Sequence, residues 1–141
     1  MLPSLTTVLL LDGDETANYL HKRLLRKLGS VGQVLTATTP TQALAMLDDP
    51  AQPRPGLILC NLYLPEMNGW EFIRRFKTRH PQHPAIIAIL TTFVGVWYKQ
   101  QEAGWPAELL LLKPLTEHSV QQVLRFLPAA EQGHPPTAAS Q

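Results

Sequence analysis

Residues 57 to 60 read Leu-Ile-Leu-Cys, an apolar run with no polar alternation, and the run stops at a single amide side chain, Asn61. A strand with one wet face alternates apolar and polar residues, whereas a strand covered on both faces does not. This segment therefore needs a layer of structure on each side, which favours a parallel sheet with helices above and below. After Asn61 comes a loop carrying Leu64-Pro65 and the turn pair Asn68-Gly69, and then helical spacing begins. In open parallel sheets, ligands and chemistry sit just beyond the carboxyl ends of the strands. Asn61 occupies that place.

The same grammar recurs on both sides of this segment. Thr6 to Leu11 is β-branched and aliphatic and gives way to Asp12-Gly13-Asp14-Glu15. From Glu15 the spacing turns helical, with Ala17, Leu20, Leu24 and Leu28 three or four apart, Asp14 as the expected N-cap and Gly29 where a helix stops. His21, Lys22, Arg23, Arg26 and Lys27 are expected to form its solvated face. Val31 to Ala37 reads as a second strand; Thr39-Pro40 then opens a helix with Ala43, Leu44 and Leu47 on its apolar side. Beyond the central run, Trp70 to His80 predicts a helix with Phe72, Ile73 and Phe76 inward and Arg74, Arg75, Lys77 and Arg79 outward. Ala85 to Leu90 is another continuous apolar run ending in Thr91-Thr92, and Phe93 to Ala103 is expected to be helical. Glu108 to Leu112 is a fifth strand ending in Lys113-Pro114, and Thr116 caps a last helix with Val120, Val123, Leu124 and Leu127 on one side.

Size and charge narrow the function classes. At 141 residues and 45% hydrophobic, the chain has room for one core, expected over residues 1–127. Residues 128–141 hold too little apolar surface to fold and are expected to be a flexible tail. A net charge of +1 gives no global field toward nucleic acid or a membrane surface. The single cysteine, Cys60, excludes a disulfide framework, the N-terminus lacks the basic and apolar regions of a signal peptide, and no apolar run approaches the roughly 20 residues of a membrane helix. A soluble cytoplasmic protein is expected. His80, His83, His118 and His134 have no metal-like spacing, and no Gly-rich phosphate loop follows the first strand.

Five strand–helix units in alternation bring the strand ends to one edge. Asp12 and Asp14 from the first strand, Asn61 from the third, Thr91 and Thr92 from the fourth and Lys113 from the fifth should converge there. Taken singly, each is explained as a polar cap on a buried strand; taken in this order they form a pocket. The set resembles the receiver domain of two-component response regulators over about residues 5 to 127, with the opening Leu-Leu-Leu-Asp-Gly-Asp-Glu and the loop Leu64-Pro65-Glu-Met-Asn-Gly69 especially close. The resemblance implies a flavodoxin-like, doubly wound five-stranded parallel sheet in the order 2-1-3-4-5 with five helices. It also implies an acidic pair that holds Mg²⁺, a strand-three aspartate that takes a phosphoryl group from a histidine kinase, a strand-four Ser/Thr hydroxyl on the phosphoryl oxygens and a strand-five lysine that neutralises them.

Three positions depart from that pattern. Asn61 stands where the phosphoacceptor carboxylate belongs, and an amide oxygen, its lone pair delocalised, would not yield the acyl phosphate. Gly13 replaces the second acid, so Asp12 alone would hold Mg²⁺ weakly or not at all. Leu110 stands where the family usually has an aromatic residue that changes rotamer on activation. The expected function is a stand-alone pseudo-receiver, not an enzyme, that is not phosphorylated at Asn61 and acts through protein contacts. The alternative is a phosphoacceptor that uses another pocket residue, with Mg²⁺ held by Asp12 and Asp14. Lys113 is expected to pair with Asp12 and donate to the Asn61 carbonyl, and Lys113-Pro114 to carry the family's cis bond. Phe93, Val94, Val96, Trp97, Tyr98 and Trp105 exceed what one helix face can bury; Trp97, Tyr98 and Trp105, with Leu110, are the partner-binding candidates. The partners implied are a histidine kinase or other signalling protein and a second copy through the fourth helix and fifth strand, with neither nucleic acid nor membrane.

Overall fold

The structure, a computed structural model, describes residues 5–29, 31–92 and 109–125. In chain order the elements are β1 (Leu5–Leu11), α1 (Glu15–Leu28), β2 (Val31–Ala37), α2 (Pro40–Asp48), β3 (Leu57–Asn61), α3 (Gly69–Arg79), β4 (Ile86–Thr91), β5 (Leu109–Leu112) and α4 (Glu117–Leu124). The five strands are parallel in the order β2-β1-β3-β4-β5. This is the doubly wound, flavodoxin-like arrangement. Four helices fall among the described residues. The helix expected over Phe93 to Ala103 with Trp97 and Tyr98, Trp105 after it, Leu127 and the tail 128–141 lie outside them.

The unalternated runs follow from where each strand side chain goes. Leu9, Leu11, Ile58, Cys60, Ile87 and Ile89 pack with Phe72, Ile73 and Phe76 of α3 and Ala43 and Leu44 of α2 on one face. Val8, Leu10, Leu57, Leu59, Ala88 and Leu90 pack with Leu25 of α1 and Val120, Val123 and Leu124 of α4 on the other. Successive side chains point to opposite faces, so a strand buried on both must be apolar throughout. Truncating a side chain as enclosed as Ile58 to alanine removes about 2–5 kcal/mol.

The helices start where a short polar side chain can take a free backbone N–H. Asp14 accepts from Thr16, Thr39 from Gln42, Asn68 from Glu71, and Thr116 from Ser119 in a reciprocal capping box. Gly29 ends α1 at φ 70°, a left-handed conformation that favours glycine. Gly69 is fixed by space instead. A Cβ there would fall 2.7 Å from the Asn61 carbonyl oxygen, so α3 begins one residue before the expected Trp70, pressed against the end of β3.

One helix face differs from its expectation. The buried residues of α1 are Asn18, His21 and Leu25, whereas Leu20 is 52% exposed and Leu24 and Leu28 are only partly covered. His21 is therefore not part of the solvated face. The helix is turned so that two polar side chains meet strand-end backbone that needs partners. Asn18 Nδ2 donates to the carbonyls of Asp12 and Ala37, and His21 Nε2 accepts from the Leu115 N–H. Apolar spacing alone cannot anticipate a buried face whose key residues are hydrogen-bonding. Among the described residues, no helix is long and apolar enough to cross a membrane.

Candidate functional site

The register sets the site. Leu11 pairs with Cys60, Asn61 with Leu90 and Thr91 with Leu112. Hence Asp12, Asn61, Thr91 and Lys113 end or directly follow four neighbouring strands at the same edge of the sheet. Asp12 and Thr91 are buried, and Asn61 and Lys113 are partly so. The Lys113 N–H donates to the Thr91 carbonyl at 2.9 Å, carrying the β4–β5 ladder one residue past the strand and launching the lysine side chain toward the pocket. The Lys113-Pro114 peptide bond is cis.

The polar groups form a closed set. Lys113 Nζ lies 2.6 Å from Asp12 Oδ2 and donates to Asn61 Oδ1 at 3.4 Å. Asp12 Oδ1 accepts the Asp14 N–H at 2.9 Å. Asn61 Nδ2 donates to the Tyr63 carbonyl at 2.7 Å. Both carboxylate oxygens of Asp12 are thus engaged, and both ends of the Asn61 amide have complementary partners. The orientation of that amide is dictated by chemistry, because only its NH₂ can face a carbonyl and only its oxygen can face an ammonium. A carboxylate at position 61 would set an oxygen against the Tyr63 carbonyl, a repulsion relieved only by a cation or a proton between them.

Gly13 and Asp14 do not add ligands to this pocket. A Cβ at Gly13 would meet Pro65 Cδ at 3.1 Å, so the β3–α3 loop lies close over the β1–α1 turn. The Asp14 side chain accepts from the Thr16 N–H as the cap of α1. For Mg²⁺, which needs near-octahedral oxygen donors and gives up water reluctantly, the described residues offer one carboxylate that already holds an ammonium and a backbone N–H. They do not fit the ion. Among the described residues, no group of three or more His, Cys, Asp and Glu is placed to hold a metal.

Three residues frame the site that the sequence did not place there: Asn18 and Glu66, and His21, which was expected on the solvated face of α1. Asn18 and His21 brace it from α1. Glu66, the one non-glycine residue with positive φ (72°) among the described residues, accepts from the Thr41 N–H at 3.0 Å and the Thr41 hydroxyl at 2.7 Å. This ties the β3–α3 loop to the start of α2, and no spacing rule signals a contact across 25 residues. Tyr63, two residues past Asn61, and Leu112, next to Lys113, are both exposed beside the polar network. Leu110 is partly buried against the core layer of α2 and α3. Burial, with Asp12 adding to it, pushes the Cys60 thiol far above its usual range, so this residue is an inert part of the core.

A family model described as the response regulator receiver domain matches residues 8–125. No curated protein sequence matches this one. Among solved structures, the chain is similar to a two-component response regulator from Cytophaga hutchinsonii, at 26% identity over 85% of this chain and 94% of that one, with a TM-score of 0.74. It is also similar to a chemotaxis response regulator of Vibrio cholerae, at 25% identity over 86% and 98%, with a TM-score of 0.68. A putative response regulator from Chloroflexus aurantiacus, at 24% identity, covers 93% of this chain and 100% of its own with a TM-score of 0.68, and shares the fold.

Proposed function

The chain belongs to the response regulator receiver domain family, and we propose that within two-component signalling it is a pseudo-receiver, not phosphorylated at Asn61 and acting through protein contacts. The observation that carries this reading is the Asn61 amide, which finds a partner for each end inside the protein, Lys113 for its oxygen and the Tyr63 carbonyl for its nitrogen. Phosphoryl transfer to this position requires a carboxylate oxygen as nucleophile and positive charge free to offset the transferring group. Here the nucleophile is an amide oxygen, and the Lys113 ammonium is already paired with Asp12. The site supplies its own cation and its own donors, which leaves Mg²⁺ weak or without a role.

The module is a binding partner, not an enzyme, and its place is the cytoplasm. Its partners are a histidine kinase or another signalling protein, with no nucleic acid and no membrane. A second copy, paired through the fourth helix expected from the sequence and β5, is a further partner. A phosphoacceptor that draws on Asp14 for Mg²⁺ has no support in the geometry, because that carboxylate caps α1.

Intact mass after incubation with Mg²⁺ and a small-molecule phosphodonor tests the reading, with an Asn61→Asp, Gly13→Asp variant alongside. The native chain is expected to gain no phosphoryl mass while the variant gains one. A labelled native chain would overturn the proposal, and the labelled residue would become the site.

A further inference from the structure

The buried face of α1 carries two polar side chains, and each grips backbone next to one partner of the Asp12–Lys113 pair. Asn18 Nδ2 donates at 3.0 Å to the Asp12 carbonyl and at 3.0 Å to the Ala37 carbonyl, which fixes the chain that presents the aspartate. His21, 5% exposed, accepts the Leu115 N–H at 3.3 Å, two residues after Lys113. An imidazole nitrogen accepts only while it carries no proton. The contact therefore assigns the proton of the neutral ring to Nδ1.

We propose that His21 is a positioning residue for Lys113, and that proton uptake by its imidazole releases Lys113 from Asp12 and Asn61. The inference rests on the reading of the site as a closed network and names an input to it that needs no phosphoryl group. When the ring takes a proton, both nitrogens become donors. The Leu115 N–H then faces a donor instead of an acceptor, inside a region closed to water, and the turn that carries Lys113 loses its anchor. The imidazolium also adds a second positive charge close to the Lys113 ammonium.

The charges around the ring agree with this. Burial, the largest influence, holds His21 below the ordinary histidine value; Lys113 from the end of β5 lowers it further, and Asp12 from the end of β1 raises it. Among the described residues, no other charged group is enclosed with the ring. β2 has no ionisable side chain, Glu117 and His118 of α4 are exposed, and on α1 itself Glu15, Arg23, Arg26 and Lys27 are exposed and Lys22 partly so. A group depressed in the folded state favours folding above its unfolded value, near 6.5 for histidine, and loses that contribution as pH falls. The clamped arrangement excludes the proton and the released one takes it, and such differential affinity is what a switching ligand must have.

The test uses the full chain labelled with ¹⁵N in its lysine and histidine side chains, followed by NMR as pH is lowered. The Lys113 Nζ resonance, displaced by its bonds to Asp12 and Asn61, is expected to move to the position of the exposed lysines with the same midpoint as the His21 ring titration. In His21→Gln, the amide oxygen keeps an acceptor for Leu115 but cannot take a proton, so the resonance should hold its position over the same range. A native Lys113 resonance that stays in place through the His21 titration overturns the proposal. So does its movement in the Gln variant at the native midpoint. Phosphoryl mass on the native chain would overturn the pseudo-receiver reading alone and would leave these titrations standing.

Discussion

Among the described residues, two carboxylates each face basic partners, one at either end of the sheet. Asp12 and Lys113 sit at the carboxyl edge with side chains 6% and 17% exposed, and Asp12 is also bonded to the Asp14 N–H. Asp48, at the end of α2, meets Arg79 and His80 at the end of α3, with Asp48 and Arg79 41% and 49% exposed. The residue types are nearly the same, and the difference is water. A buried charge whose partner is removed keeps its desolvation cost without compensation, whereas an exposed one turns to solvent and is screened by salt. The first pair therefore constrains the fold around the site, and the second trims the junction of two helices.

The largest expected effect comes from breaking the buried pair on one side. Lys113→Met leaves the Asp12 carboxylate enclosed with a single N–H donor and should lower stability by about 3–5 kcal/mol, read as a shift in the urea midpoint at unchanged slope. Replacing both partners, as Asp12→Leu with Lys113→Met, should recover part of that loss, because the penalty belongs to the unpaired charge. A double-replacement chain as unstable as the single one would show that the pair is favourable in its own right.

Asn61→Asp sharpens the contrast from the neighbouring position. The new carboxylate would set an oxygen against the Tyr63 carbonyl at the 2.7 Å now spanned by a hydrogen bond, beside the charge of Asp12. Losing that bond and leaving the groups unmatched should lower stability by about 1–3 kcal/mol at neutral pH. Mg²⁺ should restore part of it, since a cation between the oxygens replaces the missing hydrogens. Thermal unfolding with and without MgCl₂ reads both statements, and the native chain should show no comparable rise with the metal.

The division between these regions also marks what the sequence made legible. From Val8 onward in β1, and throughout β3, β4 and β5, the strand residues are apolar up to the polar residue that ends or follows them, so that residue stands out. Asp12, Asn61, Thr91 and Lys113 could be placed at one edge by topology alone, and the bonds of Lys113 to Asp12 and Asn61 follow from putting one ammonium between two acceptors. The supports of that edge were hidden. Asn18 and His21 lie on the same helical line as Leu25, but their polarity assigns them to solvent in any pattern built on hydrophobicity. Glu66 reaches Thr41 only because the β3–α3 loop and the start of α2 come together, which depends on the sheet order and not on any local run. The α1 periodicity was real and its phase was wrong, since Leu20 faces water while the two polar residues are enclosed.

The smallest expected effect is at the exposed cluster, and it decides whether burial is the operative difference. Asp48→Asn keeps the shape of the side chain and removes its charge, so Arg79 loses its ionic partner at a half-open surface. The expected cost is about 0.2–1 kcal/mol, shrinking as salt is raised, because charges this accessible are reached by solvent and counter-ions. The corresponding loss from Lys113→Met should hardly respond to salt. If Asp48→Asn were to cost as much as Lys113→Met, and to do so at high ionic strength, exposure would not be what separates the two clusters. The α2–α3 junction would then have to be credited with a constraint on the sheet that its geometry does not suggest. A small, salt-sensitive loss leaves the carboxyl edge as the place where, among the described residues, unpairing a charge costs most, and so as the place where a change of protonation or a bound partner has most to act upon.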